Sequence, residues 1–213
     1  MDYSDLREQM VNLQIEKRGI TNQAVLQAMR VVPRHLFVPD EFLSEAYCDY
    51  PLPIGYKQTI SQPYIVALMT ELLQLKPYHR VLEIGTGCGY QSAVLAEIAE
   101  KVYTAEIVPE LAERAKKNLQ QLGYSNIYSK QGDGLISWKD EAPFDRIIVT
   151  AAPYLLPQGL VKQLSIAGYM VIPIGSYPQI LYRILRKSEN QIEKQTISHV
   201  AFVPMTGGVE NKY

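Results

Sequence analysis

Residues 80–91 read RVLEIGTGCGYQ, and the fold turns on them. RVLEIG (80–85) is a short apolar run of the kind a buried strand makes, and YQSAVLAEIAE (90–100) behind it has the spacing of a helix. Between the two stand Gly85, Gly87 and Gly89. Only glycine lets a chain turn this tightly between strand and helix while leaving room for a ligand against the main chain.

The alternation continues outward from this point. KVYTAE (101–106) is a second strand, followed by the helix PELAERAKKNLQQLG (109–123), opened by Pro109 and closed by Gly123. NIYSKQGD (126–133) and FDRIIVTAA (144–152) are a third and a fourth strand. LVKQL (160–164) is a short helix ahead of the strand GYMVIPIG (168–175). Strands alternating with helices predict right-handed βαβ units and a doubly wound α/β fold with a mostly parallel sheet. The ending differs. QILYRILRK (179–187), a turn at SENQ and EKQTISHVAFVPM (193–205) predict a C-terminal antiparallel β-hairpin on the sheet edge.

Upstream, Leu6, Met10 and Leu13 share one face of a helix expected over 4–18 and ended by Gly19. A second helix is expected over about 22–30, after Thr21 and before Pro33. The stretch VPRHLFVPDEFLSEAYCDYPLPIGY (32–56) holds four prolines and reads as ordered but irregular chain. In GYKQTISQPYIVALMTELLQL (55–75) the later half is a helix with Ile65, Leu68, Leu72 and Leu75 on one face, whereas the polar run before it has no structural excuse. The 213 residues are expected to form one domain: a helical, irregular N-terminal lead-in (1–60), an α/β core (61–175), and the hairpin with its tail (176–213).

Composition narrows the function. A net charge of −1 supplies no global positive field, which speaks against nucleic acid as a partner. Cys48 and Cys88 have no CxxC partner and read as free thiols of a reducing compartment. His35, His79 and His199 are scattered, so no metal site is readable and each is expected to be structural. The charged opening MDYSDLREQMVNLQIEKRGI is no signal peptide, and no apolar run nears the ~20 residues of a membrane span. A cytoplasmic monomer without nucleic-acid or membrane partners is the expectation.

The glycine loop alone could be a bare turn. Glu106 strengthens it, because an acid at the end of the second strand, twenty-one residues after Gly85, is placed for the ribose hydroxyls of a nucleoside. The spacing G-x-G-x-G, with Tyr90 where a dinucleotide fingerprint has its last glycine, disfavours a pyrophosphate, and no Walker GK[ST] follows. Glu83 would repel a phosphate and suits an ammonium group. The motif E-x-G-x-G-x-G, with Thr86 inside it, looks like the cofactor loop of S-adenosyl-L-methionine-dependent methyltransferases. In that family the third strand ends in an acid beside the adenine, and GDG puts Asp133 there, followed by Gly134. Methyltransferases acting on planar amines carry Asn/Asp-Pro-Pro-Tyr after the fourth strand. Here TAAPY (150–154) places Ala151 and Ala152 where an acceptor and a proline are needed, so such an N-methyltransferase is disfavoured.

Taken together, PLPIGYKQTISQPYIVALMTELLQL, VLEIGTGCGYQSAVLA, GDG, FDRIIVTAA and VAFVPMTGG resemble the protein-L-isoaspartate O-methyltransferase family, in order from about residue 7 to about 208. QTISQP and FVPMTG are the specific motifs. Lys57 stands where the family usually has Gly, and Cys88 where Ser is common. The resemblance implies a Rossmann-like methyltransferase fold, S-adenosyl-L-methionine as cofactor, and isoaspartyl-containing proteins and peptides as partners. The methyl acceptor would be the free α-carboxylate of L-isoaspartyl residues, whose ester closes to a succinimide in the course of repair. An α-carboxyl ionises at a pH of roughly 3.3–3.7 and needs no general base at neutral pH. The resemblance further implies that Ser61 is the essential catalytic residue, although a helix cap is its alternative role. It implies that Thr59 and Ile60 close over the cofactor, that Thr206 contributes from the C-terminal edge, and that Gln62 and Tyr64 serve the substrate side. Another acceptor on the same fold, or cofactor binding without turnover, are the alternatives.

Overall fold

The computed structural model describes residues 2–208. The run at 80–84 forms strand β3 (Arg80–Ile84), buried along nearly its whole length, which is why Val81 on one face and Leu82 and Ile84 on the other are apolar. It is the hub of a seven-stranded sheet. β3 pairs in parallel with β4 (Lys101–Glu106) on one side and with β6 (Phe144–Val149) on the other. The remaining strands are β5 (Ile127–Gln131), β7 (Leu164–Ile174), β8 (Gln179–Arg186) and β9 (Ile192–Val200). Their spatial order is β5-β4-β3-β6-β7-β8-β9, with β7–β8 and β8–β9 antiparallel. The chain winds outward from β3 to β5, then returns to lay β6 against the other edge of β3. That reversal opens a crevice at the carboxyl ends of β3 and β6, where ligands bind in open α/β sheets.

Alternate residues feed two cores. Val81, Val102, Ile148, Val171 and Leu181 face helices α2 (Gln23–Val31), α3 (Pro63–Leu72), α4 (Tyr90–Ala96) and α5 (Pro109–Gln121). Leu82, Tyr103, Ile147, Met170 and Ile184 face the opposite side, with α6 (Gln158–Gln163). The doubly wound sheet and its C-terminal hairpin match the sequence expectation. No helix among the described residues is long and apolar enough to cross a membrane.

Three segments differ from that expectation. The helix read over 4–18 is α1 (Tyr3–Gln9), then a π-helical turn Met10–Ile15 and a 3₁₀ turn Glu16–Arg18. A π turn bonds residues five apart, so Met10 and Ile15 share the buried side while Leu13 is 53% exposed. Gly19 ends the run in the left-handed region, as read. Next, the irregular stretch contains a small hairpin, β1 (Leu52–Gly55) with β2 (Gln58–Ile60). Its turn residues Tyr56 and Lys57 both have positive φ, 53° and 58°. Finally, β9 stops at Val200, and Ala201–Met205 leaves the sheet as a strap. Gln179 steers it: its carboxamide accepts from Phe202 N at 2.9 Å and donates to Phe202 O at 3.1 Å. Beyond that, Pro204 bridges Ala152 beside the end of β6.

Candidate cofactor and acceptor site

One cleft at the carboxyl ends of β3, β4 and β6 collects most of the sequence-predicted residues. Thr59, Ile60, Ser61, Gly85, Thr86, Gly87, Glu106, Asp133, Gly134 and Thr206 all line it. Five segments bring them: the small hairpin with Ser61 just after it, the glycine loop, the end of β4, the end of β5, and the C-terminal strap.

The loop is built tightly. Gly85 has φ +96°, and a Cβ there would sit 2.5 Å from Thr150 Oγ1. That hydroxyl donates to the Gly85 carbonyl at 2.6 Å, so the end of β6 clamps the turn after β3. Gly87 N donates to Glu106 Oε2 at 2.7 Å, and Val108 N to Oε1 at 3.0 Å. Each Glu106 oxygen therefore keeps a lone pair for a donor in the cleft. Asp133 accepts from Leu135 N at 2.9 Å and from Gly208 N at 2.7 Å, which ties the strap to the end of β5. Gly134 passes so close to β3 that a Cβ would meet Ile84 Cγ2 at 2.4 Å.

The donor set fits S-adenosylmethionine. Two carboxylates, Glu106 and Asp133, face the cleft, and among the described residues no Lys, Arg or His lines it. A cationic sulfonium and a ribose diol suit such walls, whereas a polyphosphate does not. Ile84, Ile107, Val108 and Met205 supply apolar surface for a flat base.

Ser61 stands at a junction. With Thr59, Thr150 and Val203 it lines both this cleft and an adjoining groove walled by Pro51, Gln62, Ile65 and residues 199–202. The N-cap of α3 is Gln62, which makes no capping bond, and among the described residues the Ser61 hydroxyl has no partner. The serine is thus no helix cap in this conformation. Its hydroxyl and the first turn of a ten-residue helix border that groove.

This is the layout of a methyl-transfer site open on one side to a carboxylate, and comparison with known proteins agrees. The family model described as protein-L-isoaspartate(D-aspartate) O-methyltransferase matches residues 5–210. The chain belongs to that family. Within it, the protein-L-isoaspartate O-methyltransferase of Picosynechococcus sp. is 54% identical over 202 residues, covering 95% of this chain and 90% of the relative. That of Dictyoglomus thermophilum is 53% identical over 207 residues, covering 97% and 93%. A solved protein-L-isoaspartate O-methyltransferase superposes with TM-score 0.87 at 28% identity, over 96% of this chain and 67% of its own. A Plasmodium falciparum structure of the same description, in complex with S-adenosyl-L-homocysteine, gives 0.81 at 27% identity, over 94% and 98%.

Among the residues expected of a protein-L-isoaspartate O-methyltransferase cofactor loop or acceptor wall, three line neither space, and a fourth lines the groove with its amide engaged elsewhere. Glu83 does not line the cleft: it is fully buried behind the glycine loop, where Ser92 Oγ donates to its Oε2 and Oε1 has no partner. Burial pushes its carboxyl up to about 7. Gly89 also lies off the cleft. A Cβ there would press Leu119 at 3.2 Å, so this glycine serves the packing of α4 on α5. Gln62 lines the adjoining groove but donates its amide to Asp49 O at 2.9 Å, bracing the groove wall. Tyr64 lines neither space; Arg18 lies over its ring at 3.5 Å. In the other direction, Thr150 and Val203, which touch both spaces, were not among the predicted residues. The TAAPY segment was the available signal for Thr150. Cys88, buried at the cleft floor with its thiol raised to about 11, is inert.

Proposed function

We propose that this protein transfers the methyl group of S-adenosyl-L-methionine to the free α-carboxylate of L-isoaspartyl residues in damaged proteins and peptides, opening the route through a succinimide back to aspartate. The cofactor, when bound, supplies a methyl group activated by its attachment to a sulfonium. Everything else falls to the chain. Glu106 takes the ribose hydroxyls, Asp133 the adenine edge, and Thr59, Ile60 and Thr206 close the cleft from above. Thr150 holds the Gly85 turn in the shape that admits the ligand. Ser61 Oγ donates to the acceptor carboxylate and fixes it in line with the methyl group, with the amino end of α3 favouring the negative charge.

No general base is assigned, because an α-carboxylate is ionised well below neutral pH. Placement does the work, and holding two reactants in line can lower a barrier by several kcal/mol. The observation that carries this reading is the unpartnered Ser61 hydroxyl at the junction of a cation-favouring cleft and an adjoining groove without a charged carboxylate. The earlier expectation of a cytoplasmic monomer that takes neither nucleic acid nor membrane stays with the proposal.

Ser61→Ala tests the assignment. It is expected to bind S-adenosylmethionine as the wild type does, by calorimetry, while losing at least about tenfold in turnover on an isoaspartyl peptide, a hydrogen bond to a charged group being worth about 1.5–3 kcal/mol. Turnover within twofold of wild type would remove Ser61 from the reaction.

A further inference from the structure

The hairpin that carries Thr59 and Ile60, with Ser61 directly after it, is a two-stranded ribbon separate from the main sheet. Two short strands have little stability of their own, so the ribbon depends on what fixes it to the α/β core. Its register marks the point of attachment. Pro53 faces Thr59 and Gly55 faces Gln58, so Ile54 is the extra residue of a bulge, with no residue opposite it. A bulge leaves one residue out of the ladder and re-aims its side chain. Here the Ile54 carbonyl accepts a hydrogen bond from Arg114 Nη2 of α5 at 2.5 Å. The Ile54 side chain is fully buried, its Cδ1 3.4 Å from where a Cβ on Gly87 would sit.

Both contacts tie the hairpin to the part of the core that presents the cofactor acid. Gly87, against which Ile54 packs, donates its N–H to Glu106, and α5 begins just beyond Glu106 at Pro109. Among the described residues Arg114 forms no ion pair, although Glu110 stands one helical turn before it. Its bond to Ile54 is also the only hydrogen bond there between the α/β core and residues 52–60. We propose that Arg114 is a positioning residue: by holding the bulge of the hairpin against the glycine loop, it sets where Ser61 stands relative to the methyl group and so acts on the transfer through Ser61. This inference rests on the isoaspartyl reading of the acceptor and on Ser61 as its hydrogen-bond donor.

The test is a double-mutant cycle on an isoaspartyl peptide. Arg114→Met keeps the aliphatic stem and removes the donor; it is expected to lower kcat about tenfold, since placement is what the site contributes. S-adenosylmethionine affinity in calorimetry should change by less than about threefold, because Glu106 and Asp133 keep their places. Arg114→Lys, which keeps a charged donor on a long stem, should restore most of kcat. In a Ser61→Ala background, Arg114→Met should cost less than about twofold, since residues that act through one another are not additive. A tenfold loss in both backgrounds, or an unchanged kcat in Arg114→Met, would overturn the inference. So would a kcat that falls in step with melting temperature across Arg114→Met, Arg114→Gln and Arg114→Lys, which would leave Arg114 a residue of the fold alone. Failure of the wild type to methylate the isoaspartyl peptide would instead overturn the acceptor assignment, and this inference with it.

Discussion

Glu83 is the residue at which the chemistry of the sequence and that of the fold part company. Its position two residues ahead of Gly85 suggested an ammonium ligand, but its carboxyl is sealed behind the loop among Ser92 and Thr104. Sequence spacing fixes where a residue lies along β3 but not which way its side chain faces, and that is why the role was misread. Burial raises this acid from its ordinary 4.5 to about 7, so the folded state holds the proton more tightly than the unfolded chain. The resulting stability is full below about 4.5 and is lost as pH rises through about 7. Glu83→Gln, neutral throughout, should remove that slope. Urea unfolding at about pH 5 and about pH 8 should show wild type losing roughly 2–3 kcal/mol more than the variant across the interval. Parallel losses would contradict the assignment. Gly85 makes the opposite case, since it lines the cleft with the tight, positive-φ turn that its spacing suggested. Gly85→Ala must hold φ at +96° and bring Cβ against Thr150 Oγ1. Strain of about 1–3 kcal/mol is expected, together with a loss of S-adenosylmethionine affinity in calorimetry that Thr150→Ser does not reproduce.

At the scale of elements, legibility followed hydrophobic pattern. β3, β4 and β6 were visible because strands covered on both faces carry consecutive apolar residues, here Val81-Leu82, Val102-Tyr103 and Ile147-Ile148-Val149, and α5 because Pro109 and Gly123 punctuate it. The hairpin β1–β2 was not. Two-residue hairpin turns with positive φ at both positions are normally announced by Asn-Gly or Asp-Gly, and here Tyr56-Lys57 occupies them. Those two side chains adopt the left-handed region at a cost of roughly 1 kcal/mol each. Lys57→Gly should therefore raise thermal stability by about 1 kcal/mol, read as a higher melting temperature. An unchanged or lower melting temperature would mean that Lys57 is not strained. This hairpin delivers Thr59, Ile60 and Ser61 to the cleft, so its geometry governs the acceptor side.

For the whole molecule, the site is a product of topology. The reversal of strand order beside β3 makes the crevice, and the antiparallel hairpin at the far edge sends the strap 201–208 back across the sheet to close it. The motif FVPMTG was recognisable as a string, but its path was not, because Gln179 and Asp133, which hold it, are distant in sequence. Gln179→Leu leaves Phe202 N–H and C=O without partners, a cost of about 1–3 kcal/mol. A several-fold weaker S-adenosylmethionine affinity is expected from the displaced strap, and unaltered affinity would show that the strap does not shape the cleft.

The measurement that bears most directly on the proposed activity offers the protein two peptides of one sequence, one with L-isoaspartate and one with normal aspartate, together with methyl-labelled S-adenosylmethionine. Base-labile label on the isoaspartyl peptide alone is the expected result. Label on both peptides, or on neither, would contradict methylation of the isoaspartyl α-carboxylate.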